Sequence, residues 1–181
     1  YSDILPYKHS AVALDCSEGS KLNSYINANY IPGPFGEPNI FIGSQGPKSN
    51  TVKDFWRMIK QEQVGWIVML CKLKEDGRPK CDQYWPDQDN SLIYDDIKLQ
   101  VTTEAETFDS DNLHRRIFTL TNSETKETIS KVTQIHYLGW PDHGVPNKEQ
   151  LADFDVVFED TLNEYTRILK DQTNQKLIFH C

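Results

Sequence analysis

Gln175-Lys176-Leu177-Ile178-Phe179-His180-Cys181 (QKLIFHC, 175–181) is the stretch on which the fold turns. Its apolar triplet does not alternate with polar residues and is too short for most helices. It therefore reads as a strand buried on both faces. Such a strand needs layers above and below it, so it implies a sheet flanked by other elements. It also ends on a histidine and a cysteine. By itself that ending suits two readings, a small apolar residue closing a core strand or a reactive thiol at a strand end.

The residues before it supply one of those layers. Residues 148–170 form the longest helical pattern, with Leu151, Phe154, Phe158, Leu162, Tyr165 and Leu169 on one stripe. Asn147 with Gln150 resembles a capping box. Residues 51–62 form a second helix, its apolar face set by Val52, Phe55, Trp56 and Ile59, with Asn50 as candidate cap. GWIVMLC (65–71) is another doubly buried strand. YINANYI (25–31) and NIFIGSQ (39–45) read as a hairpin-like pair around the Pro- and Gly-rich turn 32–38. Further strands are expected at 93–101, 115–121 and 128–138, the last two joined by the turn NSETKE. The class is α+β (mixed α/β), a central, highly twisted mixed sheet flanked by helices, in a single domain over 1–181.

Composition narrows the function. The chain has 181 residues, 38% of them hydrophobic, and a formal net charge of −8. That length supports a sizeable core. An acidic chain lacks the Lys and Arg excess that nonspecific nucleic-acid or anionic-membrane binding needs, although a basic pocket remains compatible with it. No apolar run approaches the ~20 residues of a membrane span. The four cysteines, Cys16, Cys71, Cys81 and Cys181, show neither a C-x-x-C pair nor the sequence spacing of a zinc site. Scattered in this way they read as reduced, intracellular thiols. The chain opens on YSDILPY and closes inside a strand, and so reads as part of something longer.

Four stretches could carry chemistry. Cys181, at a strand end, is a nucleophile if the following loop meets it with backbone N–H groups, which lower a thiol pKa and bind anions. LGWPDHGVP (138–146) contains a Pro-Asp-x-Gly turn. Trp140 is a bulky anchor in it, Pro141 stiffens the backbone before Asp142, and Gly144 permits a hinge. Asp142 on such a loop suits a general acid. In EDGRPKCDQYWP (75–86), Lys80 follows a turn and precedes Cys81, a charged hairpin tip or an anion-facing lysine. Tyr1 and Asp3 open the chain, either as a frayed end or as part of a recognition surface.

Read in order, YSDILPYKHS (1–10), YINANYI, FIGSQGP (41–47), NTVKDFWRMI (50–59), KCDQYWP (80–86), WPDHG (140–144) and HC (180–181) resemble the tyrosine-specific protein phosphatases over essentially the whole chain. The resemblance implies Cys181 as nucleophile, His180 as the histidine that precedes it and Asp142 as general acid. On the substrate side it implies Tyr1, which flanks the phosphotyrosine ring, Asp3, which hydrogen-bonds the peptide backbone, Lys80 in the cleft with Glu75 as its acidic partner, and His143 beside the acid. It also implies a cysteinyl-phosphate intermediate, no metal and no cofactor, and a nucleophile open to reversible oxidation. The partners it implies are tyrosine-phosphorylated proteins or peptides, with no nucleic acid and no membrane contact by this segment, in the cytoplasm. Oligomeric state is left open. The family pattern continues beyond the cysteine with C-x5-R and a water-positioning glutamine. The 181 residues alone are therefore expected to be a partial catalytic domain with negligible turnover. The alternative is a catalytically inactive relative that binds phosphotyrosine or a partner. A cysteine protease or redox enzyme would account for His180-Cys181 but leaves WPDHG and KCDQYWP without a role.

Overall fold

The computed structural model describes residues 4–16, 22–141 and 144–181. In chain order the elements are β1 (Ala11–Ala13), β2 (Tyr25–Ile31), β3 (Phe41–Ser44), α1 (Val52–Gln61), β4 (Val64–Met69), the two-residue strands β5 (Lys74–Glu75) and β6 (Arg78–Pro79), β7 (Ser91–Tyr94), β8 (Leu99–Ser110), β9 (Leu113–Thr121), β10 (Thr128–Tyr137), α2 (Lys148–Asp171) and β11 (Lys176–His180). Nine strands among the described residues form one sheet in the order β1-β2-β3-β11-β4-β10-β9-β8-β7, and β5 pairs with β6 separately. The sheet is mixed. β3, β11, β4 and β10 run parallel to their neighbours at its centre, and the flanking pairs are antiparallel. The α+β class with a central mixed sheet is thus the observed one.

The two non-alternating runs are the middle of that sheet. Leu177 and Ile178 of β11 and Ile67 of β4 have no exposed surface. Both faces of these strands are covered, α1 packing on one and α2 on the other, which is why the sequence there cannot alternate. On the α1 side, Phe55, Trp56, Met58 and Ile59 meet Ile42, Ile67, Ile178 and Phe118 in the main core. Each fully buried side chain of this kind stabilises the fold by about 1.5–3 kcal/mol. The indole N–H of Trp56 donates to the Tyr84 carbonyl at 2.8 Å, so its one polar atom is satisfied inside the core. On the other side, Val157, Tyr165 and Ile168 of α2 meet Val68, Ile135 and Leu177.

Three local expectations are corrected. Thr51, not Asn50, is the N-cap of α1, and its hydroxyl accepts from the Lys48 N–H instead of capping the helix. The strand expected at 93–101 is broken by a 3-10 turn over Asp95–Ile97, with Lys98 in the left-handed region at φ 51°. Cations of α1 hold that turn. Lys53 pairs with Asp96 at 2.6 Å, and Lys60 donates to the Ile97 carbonyl at 2.9 Å. The alternation of Ile97, Leu99 and Val101 thus conceals a tertiary clamp, and the strand restarts at Leu99 and runs on to Ser110. On α2, the stripe read from sequence is only partly the buried one. Tyr165 is buried, but Phe158 and Leu162 are 60% and 48% exposed. They line an apolar cleft of about 370 Å³ with Phe41, Leu70, Phe154 and Phe179.

The capping box of α2 forms as expected. Asn147 Oδ1 accepts from the Gln150 N–H, and Gln150 Oε1 accepts from the Asn147 N–H, both at 2.9 Å. Two otherwise orphaned donors are satisfied. Asn147→Ala should lower stability by about 1 kcal/mol. Urea unfolding checks this, and a change below a few tenths would show that the cap carries no weight.

Candidate active site

The parallel centre of the sheet sets the site. The carboxyl end of β11 delivers Cys181, which is exposed. The carboxyl end of β3 delivers Gln45 and Gly46, that of β4 leads to Cys71, and that of β10 leads through Leu138 and Gly139 to Trp140. The register fixes this convergence: His180 lies opposite Ser44 on one side and Met69 on the other, and His136 lies opposite Met69. In open sheets with parallel strands, ligands bind at these carboxyl ends.

The backbone at the strand end is tied down on both sides. Gly46 N–H donates to the Cys181 carbonyl at 2.8 Å and Leu70 N–H to the His180 carbonyl at 3.0 Å. Gly46 has no room for a side chain. A Cβ there would lie 3.0 Å from Cys81 Cβ, 3.1 Å from its sulfur and 3.3 Å from the Cys181 carbonyl. The glycine of FIGSQGP is therefore required by close approach, not by a turn.

His180 points inward and is 3% exposed. Its Nε2 is 2.9 Å from the Tyr84 hydroxyl, which accepts from Gln134 Nε2 at 2.6 Å. Gln134 Oε1 accepts from Arg116 at 2.8 Å, and Arg116 pairs with Glu106 at 2.6 Å and lies 4.2 Å over the Trp85 ring. Donation runs one way along this chain, from Arg116 through Gln134 and Tyr84. The Tyr84 hydroxyl thus donates to Nε2, and the His180 proton resides on Nδ1. Burial, with a smaller contribution from His136, lowers the His180 pKa to about 3, so the ring is neutral at physiological pH. His136 is likewise lowered to about 4 by burial, against the raising effect of its hydrogen bond to the Cys71 carbonyl.

Lys80 enters from the loop after β6 and lies 3.9 Å from Glu75, the acidic partner expected for it. The next residue, Cys81, is buried. Its thiol is hydrogen-bonded to Cys71, which with burial raises its pKa, and Cys181 is close enough to add to that effect. The sulfurs of Cys71 and Cys81 and one ring nitrogen of His180 all lie within 4.8 Å of one another. Spacing along the chain gave no sign of this cluster.

The loop at 138–146 is anchored at its start. Trp140 packs edge-on to Phe154 of α2, ring centroids 5.3 Å apart, and the Tyr137 hydroxyl donates to the Gln150 carbonyl at 2.8 Å. Gly144 has φ 101°, a conformation that glycine adopts without the strain a side chain would bring. Asp142 and His143 at the loop tip, and Tyr1 and Asp3 at the chain start, lie outside the described residues. Of the expected site, the structure shows His180 and Cys181 closing the central strand, Lys80 paired with Glu75, and Glu75 lining one cleft with Trp140 and Pro141.

Sequence reading missed the supporting residues Gln134, His136, Arg116 and Glu106. Their signal was weak but present. Gln134 and His136 are polar residues two apart on the inward face of a strand that otherwise buries Val132, Ile135 and Tyr137.

Comparison with known proteins agrees with this arrangement. A family model described as Protein-tyrosine phosphatase matches residues 1–181. Receptor-type tyrosine-protein phosphatase eta of Gallus gallus is 38% identical over 181 residues, which are 100% of this chain and 12% of that protein. Receptor-type tyrosine-protein phosphatase C of Homo sapiens is 38% identical over 159 residues, 83% of this chain and 11% of that protein. The solved catalytic domain of human protein tyrosine phosphatase non-receptor type 18 superposes with a TM-score of 0.81 at 31% identity, covering 100% of this chain and 60% of that one. A structure of PTPN18 in complex with HER2 phosphopeptides gives a TM-score of 0.80 at 30% identity, covering 99% and 58%. The chain thus spans about an eighth of its receptor-type relatives and a little under two thirds of the solved domains, and within that span it belongs to the protein-tyrosine phosphatase family.

Proposed function

We propose that this chain is the nucleophile-bearing part of an enzyme that hydrolyses phosphotyrosine in cytoplasmic proteins. The observation that carries the reading is the exposed Cys181 at the carboxyl end of the central parallel strand β11, with Gly46 packed between it and Cys81, the neighbour of Lys80. Cys181 Sγ attacks phosphorus and forms the S–P bond as the P–O bond to tyrosine breaks. Asp142 gives its proton to the departing tyrosine oxygen. Asp142 then accepts a proton from water, which attacks phosphorus, breaks the S–P bond and releases inorganic phosphate. Tyr1, Asp3 and His143 contact the substrate, and Lys80 adds positive charge to the cleft. A deep pocket walled by Tyr1 admits phosphotyrosine and leaves the shorter phosphoserine out of reach. The phosphoryl oxygens need N–H donors that residues after Cys181 would supply, so residues 1–181 alone are expected to be inactive.

Full-length protein should hydrolyse a phosphotyrosine peptide and leave the matched phosphoserine peptide intact. Asp142→Asn should lower kcat by about 10²-fold or more and flatten the fall in kcat at high pH, where the acid is deprotonated. Equal hydrolysis of both peptides, or an unchanged kcat in the variant, would overturn the reading. A wild-type protein that binds the phosphotyrosine peptide without turnover would favour a binding module instead.

A further inference from the structure

We infer that Cys71, Cys81 and His180 form a binding site for a thiophilic divalent cation of the zinc type, directly beneath the strand end that carries Cys181. The three donor atoms lie within 4.8 Å of one another, and all three residues are buried. Two thiolates and one imidazole are a donor set that zinc takes in a tetrahedral site with one position open. The residues come from three separate places, Cys71 after β4, Cys81 after β6 and His180 at the end of β11. A site of this kind leaves no signature in chain spacing.

A second observation points the same way. His180 is held by Tyr84 at Nε2, while Nδ1 is buried with no hydrogen-bond partner among the described residues. A buried polar atom left unpaired is costly, and a metal bond is one way to satisfy it. The proton balance is simple. The cation binds two thiolates and neutral imidazole, and two thiol protons leave to solvent. The nitrogen that binds the cation carries no proton, so the imidazole proton sits on the other ring nitrogen. Tyr84 then plays the part of the outer partner that orients a metal-bound histidine.

The site is coupled to its surroundings through Gly46, which contacts both Cys81 and the Cys181 carbonyl. A cation there would hold His180 and fix the backbone leading into Cys181. Any consequence for catalysis rests on the phosphatase reading. The binding itself does not.

The test reads the metal without substrate. Full-length protein, reduced by a phosphine and freed of metal, is titrated with cobalt(II). A one-to-one complex with thiolate-to-cobalt charge-transfer absorption is expected, and added zinc should bleach it. Cys71→Ala and Cys81→Ala should each remove that absorption, while thermal unfolding shows that both variants are folded. Persistence of the band in the Cys71→Ala/Cys81→Ala double variant would overturn the proposal, as would no cobalt uptake by the wild type at micromolar concentration. Because no turnover is measured, failure of this test leaves the role of Cys181 untouched. Conversely, inactivity toward phosphotyrosine leaves the metal site standing.

Discussion

Cys181→Ser in the full-length protein abolishes phosphotyrosine turnover, by at least about 10⁴-fold, and leaves phosphotyrosine-peptide binding in place. The expectation follows from the chemistry of the two atoms. A serine hydroxyl occupies nearly the same space at the end of β11 but does not ionise near neutral pH, whereas a thiol in an anion-binding loop does. The backbone that positions residue 181 is held by Gly46 and Leu70 through main-chain bonds, so the substitution does not disturb it. Binding and turnover therefore separate. Equilibrium binding of a labelled phosphotyrosine peptide and initial rates with the same peptide measure the two. Turnover retained to within tenfold would remove Cys181 from the mechanism, and loss of binding together with turnover would assign it a structural role.

The second large effect is in stability. With a chelator present, unfolding free energy from urea titrations should fall by about 4 kcal/mol between pH 7 and pH 5, about 2 kcal/mol for each of two histidines. Burial lowers His180 to about 3 and His136 to about 4, against 6.5 for an unperturbed imidazole. The sign follows from proton counts. Between 6.5 and 4 the unfolded chain binds a proton at each ring and the folded chain does not, so acid favours unfolding. The stabilisation is complete above the unfolded pKa and is lost as pH falls toward the folded values. His114 is also lowered, chiefly by burial, and adds in the same direction. His136→Gln keeps a donor toward the Cys71 carbonyl and should halve the pH dependence. A pH 7 to pH 5 difference unchanged in that variant would show that His136 does not carry it.

Both effects depend on features that differ in how far they could be read in advance. The strand ending at Cys181 was legible because a doubly buried strand has no polar alternation to hide it, and the same holds for the run at 65–71. The capping box at Asn147 was legible because both its partners lie within one turn of the chain. The break at Asp95–Ile97 was not. It is enforced by Lys53 and Lys60, which are distant in sequence and meet the turn only once α1 packs on the sheet. The exposed half of the α2 stripe was equally hidden, since periodicity reports an apolar face but not the width that the sheet covers.

The sequence by itself determined the family, the mixed sheet with its buried central strands, and the candidate nucleophile, because landmarks and local periodicity reside in order along the chain. The family resemblance also implied Glu75 as the partner of Lys80, and the short turn between β5 and β6 brings the two together. Only the tertiary structure decided what lies beneath the nucleophile. The line from Arg116 through Gln134 and Tyr84 to His180 joins four strand and loop segments. The cluster of Cys71, Cys81 and His180 joins residues up to 109 apart along the chain. The physical reason is that hydrogen bonds and metal bonds act over a few ångströms in space. Parallel strand order, set by which apolar faces bury together, determines which distant residues come within that range.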